Sequence, residues 1–246
     1  SACVNRPSPP SETGRTAQLP YWWESPVPPG GATMPDRCDS FRVSIMLTLW
    51  GRANSSNVQK IIWACAEIGQ SFDRIDLGGP FGGLDDPAYR AMNPNGRIPT
   101  IKDGDVVLWE SNAILRYLAA RHPQAGLLPA TLASRAVVDQ WLDWQMVSLG
   151  IGLRDVMQTR SQAGSPGAQA AETHVAGQFT LLDARLAGST HVASDDFTIA
   201  DIAAGISAHR WLALPIARPA LPALSRWYDG LRARPAFAAV AALPTR

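Results

Sequence analysis

At 246 residues and 46% hydrophobic content, the chain can bury a sizeable core and has the length of one large domain or two ordinary ones. Its 22 basic against 21 acidic residues leave a net charge of +1, which argues against a surface built to hold nucleic acid or anionic lipid. Cys3, Cys38 and Cys65 lie far apart with no CxxC spacing, and the four histidines are scattered, so neither a disulfide framework nor a zinc site is expected. With no run of 18 apolar residues and no signal-peptide pattern, the expectation is a protein of the reducing cytoplasm that makes no use of a membrane.

Residues 1–42 hold eight of the twenty prolines, in stretches such as SPPSETG and PVPPGG, and are expected to form a disordered extension. Tyr21-Trp22-Trp23 is the one feature in it that would suit docking. From residue 43 the pattern changes. A strand is predicted over 45–50, a helix over 56–68 and a strand over 72–77, which together make a βαβ unit.

A short helix should start at Asp86-Pro87, because Asp is a good N-cap and Pro suits the first helical position. Strands over 98–102 and 106–109 follow, joined by the turn Asp103-Gly104-Asp105. The segment 111–122 places Ile114, Leu115 and Leu118 at helical spacing and closes an α/β half spanning 43–123.

Residues 132–246 read as helical throughout, starting with Val138, Trp141, Leu142, Gln145, Leu149, Leu153 and Val156 at helical spacing. Val175, Phe179, Leu182 and Leu186 mark the next helix, and Thr198-Ile199-Ala200-Asp201 has the form of a capping box. The predicted fold class is therefore a mixed α/β sheet domain followed by an all-α bundle of about five helices.

Four local motifs in this order, the Ser/Asn turn at 54–57, NPNGRIPT at 93–100, WES at 109–111 and FTIADI at 197–202, resemble the cytosolic glutathione transferase family over residues 46–241. The resemblance is to bacterial serine-type or nu-class-like members. It implies a thioredoxin-like, glutathione-binding N-terminal domain, a C-terminal helical domain, glutathione as co-substrate and a homodimer.

Glutathione carries an ammonium and a carboxylate at its γ-glutamyl end, a thiol in the middle and a carboxylate at its glycyl end. In the light of the resemblance, Glu110 would pair with the ammonium. Ser111, read as opening and capping a helix, would hold the glutamyl carboxylate with its hydroxyl and the free first-turn amides. The resemblance further implies a cis bond at Ile98-Pro99 that turns the Ile98 backbone toward the cysteinyl part, and Arg97 suits the glycyl carboxylate.

The same resemblance assigns Ser55 as the hydroxyl that activates the thiol, with Ser56 as its neighbour in register, and Asn57 as a second donor. Lowering a thiol from about 8.5 by about two units takes about 2.7 kcal/mol. A hydrogen bond to a charged group contributes roughly 1.5–3 kcal/mol and a helix N-terminus about 0.3–1, so one well-placed donor nearly suffices.

No tyrosine or cysteine lies in the turn, which argues against tyrosine-type and cysteine-type members, and Cys65 reads as a small core residue. Trp144, Leu149 and Arg154 are the expected lining of the second-substrate pocket. The predicted activity is transfer of the glutathione thiolate to a small electrophile. Glutathione-dependent reduction of a disulfide or peroxide is the close alternative, and a non-catalytic scaffold of the same fold is the distant one. A maleylacetoacetate isomerase-like activity fits less well, because the Ser-Ser-Cys turn expected for it is Ser55-Ser56-Asn57 here.

Overall fold

The computed structural model describes residues 46–244; the expected extension, with Cys3 and Cys38, lies outside the described residues. The first strand, β1 (Leu47–Trp50), buries Leu47 and Leu49 on the helix-covered face of the sheet. Helix α1 (Ser56–Ile68) follows and ends at Gly69, whose left-handed conformation lets its amide bond back to Cys65 O. Every residue of α1 from Val58 to Cys65 is buried, because one face packs on the sheet and the other on helices further along the chain.

Strand β2 (Phe72–Ile75) pairs parallel with β1 and is shorter than the predicted 72–77. The ladder ends with Trp50 opposite Ile75, and beyond it Arg52 N reaches Leu77 O at 3.1 Å as a loop contact. Helix α2 (Pro87–Met92) starts as predicted, with the Asp86 carboxylate accepting from Ala88 N at 2.7 Å.

Strands β3 (Thr100–Asp103) and β4 (Val106–Trp109) form the hairpin, and the sheet runs β2-β1-β3-β4 with β3 antiparallel to both neighbours. β3 starts two residues later than predicted because Pro99 has no N–H to donate to the ladder. Helix α3 (Ser111–Arg121) then packs beside α1.

The second half opens with α4 (Leu132–Trp144), a wide π turn (Gln145–Gly150) and α5 (Ile151–Thr159), all of which continue in right-handed helical geometry. Helices α6 (Pro166–Ala187), α7 (Ile199–Leu212), α8 (Pro222–Arg232) and the short α9 (Ala238–Ala241) complete it. Helix α7 sits in the middle, buried from Ile199 to Ala208.

The predicted capping box holds α7 at its start: Asp201 Oδ2 accepts from Thr198 N at 2.9 Å, and Thr198 Oγ1 accepts from Ala200 N at 3.3 Å. The other oxygen of Asp201 accepts from Val192 N at 2.9 Å and Trp227 Nε1 at 3.0 Å, so a single carboxylate organises three segments.

The two halves share one core along α1 and α7. At Gly205 an added Cβ would stand 2.9 Å from the ring of Trp63, so a glycine is what lets the two helices approach. Glu67 on α1 takes both nitrogens of Arg234 at 2.8 Å, and that guanidinium lies 3.6 Å over the Phe197 ring.

Candidate active site

A cavity of about 540 Å³ opens between the sheet half and the helices, lined by the 52–57 turn, the 93–99 loop, Glu110 and Ser111 on one side and by the π turn, α5 and α7 on the other.

The turn starts at Gly51, with φ +147°, where a Cβ would stand 2.5 Å from Val58 Cγ2 and 3.2 Å from Ile98 Cβ. Only glycine allows the end of β1 to lie so close to the loop before β3. Ser55 occupies the N-cap position of α1, yet its hydroxyl accepts no capping bond from the helix. That hydroxyl stays at the positive end of α1 and lines the cavity. Ser56, the first residue of the helix, and Asn57 line it as well. Asn57 Oδ1 accepts from Ser111 Oγ at 3.2 Å, which leaves its amide nitrogen as the group able to serve a ligand.

The 93–99 loop is held from behind. Asn93 Nδ2 donates to Arg97 O at 2.7 Å and to Thr100 Oγ1 at 3.1 Å, and Tyr89 Oη reaches the same two oxygens at 2.5 and 2.8 Å. Burial pushes the Tyr89 phenol above its ordinary value, although the side chains of Thr100 and Asn93 pull it the other way. The Ile98–Pro99 bond is cis, Arg97 is exposed at the cavity rim, and both Ile98 and Pro99 line the wall.

Glu110, not Ser111, is the N-cap residue of α3, which corrects the expected cap. Its φ of +68° is the one positive value at a non-glycine among the described residues, a strained conformation of the kind that collects at functional sites. Glu110 lines the cavity, and Ser111 is the first helical residue. The Ser111 hydroxyl is therefore engaged with Asn57 and Lys60 instead of capping, while the first-turn amides of α3 remain at the cavity.

Lys60 was expected only as part of the α1 helix. Its ammonium is enclosed, at 1% exposure, and donates to Ser111 Oγ (3.4 Å), Asn112 Oδ1 (3.1 Å) and Gln145 Oε1 (2.9 Å). Gln145, the polar member of the otherwise apolar stripe Val138, Leu142, Leu149 and Val156, passes the network on to Ser207 Oγ on α7 at 2.9 Å. Burial pushes Lys60 down to about 7, against a pull upward from Glu110. The visible signal in the sequence was a lysine inside a segment that is otherwise buried on all sides, Val58 to Cys65.

On the helical wall, Arg154 lines the cavity as expected, but Leu149 lies in the core at 0% exposure and Trp144 packs edge-on to Trp141 at 5.0 Å. Leu149 belongs to the buried stripe, and the cavity instead meets Met146, Val147, Ile151 and Met157 on the flanking face. Arg210 on α7 donates to Asn54 O and, at 3.2 Å, to Gln59 Oε1; burial and the nearby Arg52 push its guanidinium down to about 10. Cys65 is buried in the core, as predicted, and its thiol is pushed up to about 12.

Ser55, Asn57, Arg97, Ile98, Pro99, Glu110 and Ser111 thus meet in one cavity although they come from three separate segments. The set offers a hydroxyl and an amide at a helix N-terminus for an anion, a carboxylate for a cation, and an arginine on the 93–99 loop. Among the described residues, no helix is long and apolar enough to cross a membrane.

Residues 46–120 match the family model of the glutathione S-transferase N-terminal domain, and residues 144–235 that of the C-terminal domain. The chain is 36% identical over 209 residues to glutathione S-transferase GstB of Escherichia coli (strain K12), covering 81% of this chain and 99% of that protein. It is 35% identical over 216 residues to glutathione S-transferase 3 of Zea mays, covering 80% and 95%. A theta class glutathione S-transferase from Xanthomonas axonopodis pv. citri, solved with glutathione bound, superposes with a TM-score of 0.77 at 41% identity, covering 81% of this chain and 99% of that one. On the matched domains and these relatives together, the chain belongs to the glutathione S-transferase family.

Proposed function

We propose that the protein is a glutathione transferase in which Ser55 and Asn57 hold the glutathione thiolate for attack on a small electrophile. The observation that carries this reading is Ser55, which stands at the N-terminus of α1 with a hydroxyl that does not cap it and which lines the cavity. A sulfur there receives a hydrogen bond and the positive end of a helix, the two contributions that favour the thiolate. The remaining lining fits the rest of the molecule: Glu110 for the ammonium, the α3 amides beside Ser111 for the glutamyl carboxylate, the Ile98 backbone ahead of Pro99 for the cysteinyl peptide, and Arg97 for the glycyl carboxylate.

The apolar face of Met146, Val147, Ile151 and Met157 supports an apolar second substrate. Arg154 and Arg160, also at this wall, have no hydrogen-bond or ion-pair partner among the described residues. They favour a second reading, reduction of a glutathione mixed disulfide, whose second half carries carboxylates. Calorimetry with reduced glutathione and with glutathione disulfide across pH separates the two. Preference for the reduced form with proton release near neutrality supports transfer, preference for the disulfide supports the second reading, and binding of neither overturns both. The working context of this reading is detoxification in the cytoplasm by a homodimer. The exposed Leu132 and Val137 on α4 support an apolar contact between copies, and sedimentation of the purified chain tests it.

A further inference from the structure

Only two of the 22 basic residues are lysines, Lys60 and Lys102. One is on the exposed side of β3, and the other is the only buried Lys or Arg among the described residues. A guanidinium keeps its charge in any protein environment, whereas an ammonium sheds its proton when buried. Among the described residues, the most enclosed basic position therefore holds the side chain that can change charge.

The surroundings of Lys60 lack a counter-ion. Its three hydrogen bonds go to neutral oxygens, Ser111 Oγ, Asn112 Oδ1 and Gln145 Oε1, and among the described residues no carboxylate touches it. Of the charged groups on α1, α3, the π turn and α7, Glu110 alone acts on it appreciably, from the exposed rim. Three neutral dipoles satisfy the hydrogens of an ammonium but leave its charge uncompensated, a costly arrangement in a dry interior. The missing negative charge has an obvious place. Ser111 lines the cavity, as Lys60 itself does, and stands beside the first-turn amides of α3, where an anion is favoured.

We infer that Lys60 is a positioning residue that becomes charged when a carboxylate settles on the α3 amides beside Ser111, so that ligand binding takes up a proton inside the protein and tightens the α1–α3–π turn junction. This rests on the glutathione reading, with the γ-glutamyl carboxylate as the ligand group. In the free protein, burial holds Lys60 at about 7, so at pH 8 about nine-tenths of it is neutral. An opposite charge within roughly 4–6 Å favours the protonated form and moves that midpoint upward. The charged ammonium then donates to Ser111, whose own proton is committed to Asn57 Oδ1, and through Gln145 it fixes Ser207 of α7. Binding at the sheet half is thereby felt at the central helix of the other half.

The test uses the wild-type protein grown with lysine labelled with carbon-13 at the ε carbon. Two signals are expected, and Lys102 serves as the internal reference. S-methylglutathione is the probe, because its blocked sulfur contributes no proton of its own. The expected result is a Lys60 midpoint near 7 in the free protein that rises by at least one unit when the probe saturates. Calorimetry at pH 8 in two buffers of different ionisation enthalpy should then show uptake by Lys60 of about 0.4 proton or more per ligand. In Lys60→Arg, which stays charged, and in Lys60→Met, the lysine's share of that uptake should vanish, while any share from the ligand's own ammonium remains. A Lys60 midpoint that does not move when the probe binds saturably overturns the inference and leaves the glutathione reading standing. Absence of saturable binding by either S-methylglutathione or glutathione overturns the glutathione reading, and this inference with it.

Discussion

Ser111 Oγ donates to Asn57 Oδ1 at 3.2 Å, joining the first residue of α3 to the first turn of α1 across the floor of the cavity. With the Asn57 oxygen engaged, its amide nitrogen is the end left to donate, and the proposed reading gives it the sulfur. Removing that donor in Asn57→Ala should lower kcat/KM by roughly tenfold or more, the effect of losing one hydrogen bond to a charged group. Ser111→Ala should lose part of the same benefit, because the amide is no longer held. The double variant should therefore fall short of the sum of the singles by about 0.5–1.5 kcal/mol in a double-mutant cycle on kcat/KM. Strict additivity would mean that the two side chains act independently.

Ser55 and Ser56 are adjacent, and both line the cavity, but they occupy different helix positions: the N-cap residue and the first helical residue. Only the first leaves its hydroxyl ahead of the helix axis. Ser55→Ala should raise the midpoint of thiolate formation of bound glutathione by about one to two units and slow transfer at neutral pH by roughly 10–100-fold. Ser56→Ala should change neither by more than about a factor of three. Titrating the thiolate absorbance of the glutathione complex distinguishes the two, and the reverse pattern would move the catalytic role to Ser56.

The buried Lys60 makes stability depend on pH in a definite direction. The unfolded chain keeps this proton up to the ordinary value of 10.5, while the folded protein releases it at about 7. Below about 7 both states are charged and the whole cost of burial is present. Above 7 the unfolded state binds more protons, so stability rises with pH. Cys65 acts oppositely but only above 9, where the unfolded thiol ionises and the folded one, at about 12, does not. Between pH 7 and 9 the wild type should thus gain about 2 kcal/mol relative to Lys60→Met in denaturant titrations without ligand. A flat difference over that window would show that Lys60 does not release its proton there.

Asp201 holds the start of α7 by accepting from Val192 N, Thr198 N and Trp227 Nε1. Burial pushes its carboxyl up while these bonds pull it down. Asp201→Ala would leave three buried donors without an acceptor, so a loss of about 3 kcal/mol or more is expected, and a fall in Tm of about 6–12 °C. Thermal unfolding followed by circular dichroism measures it. A change below about 1 kcal/mol would mean that water replaces the carboxylate.

Cys65 is enclosed by core side chains, and its thiol is pushed up to about 12, so it should resist alkylation in the native state. Iodoacetamide treatment at pH 8, read by mass spectrometry on the peptide containing Cys65, should show modification only after denaturant is added. Rapid native labelling would show that α1 opens locally.

Both halves were legible in the chain at the level of single elements, because elements such as α1, α2 and α7 carry their own local instruction. Asp86-Pro87 starts α2, Gly69 ends α1, and Thr198 with Asp201 starts α7, all through bonds spanning a few residues. The seven residues expected at the site lie in short motifs, the turn, the NPNGRIPT loop and the WES segment, and the structure brings these motifs to one cavity. What no local pattern could give was the relation between stretches. The positive φ of Glu110 moved the cap back by one residue and freed Ser111 for Asn57 and Lys60, a choice set by contacts between α1 and α3. The same holds for the helical wall, where Leu149 and Met146 read alike as apolar and only the packing of α4, the π turn and α5 against α6 and α7 decided which enters the core and which faces the cavity. Helical periodicity determines that a stripe will be buried. Which charge is buried with it, and what that charge answers to, is decided where three distant segments close around Lys60 and the desolvation they impose outweighs the lysine's ordinary affinity for its proton.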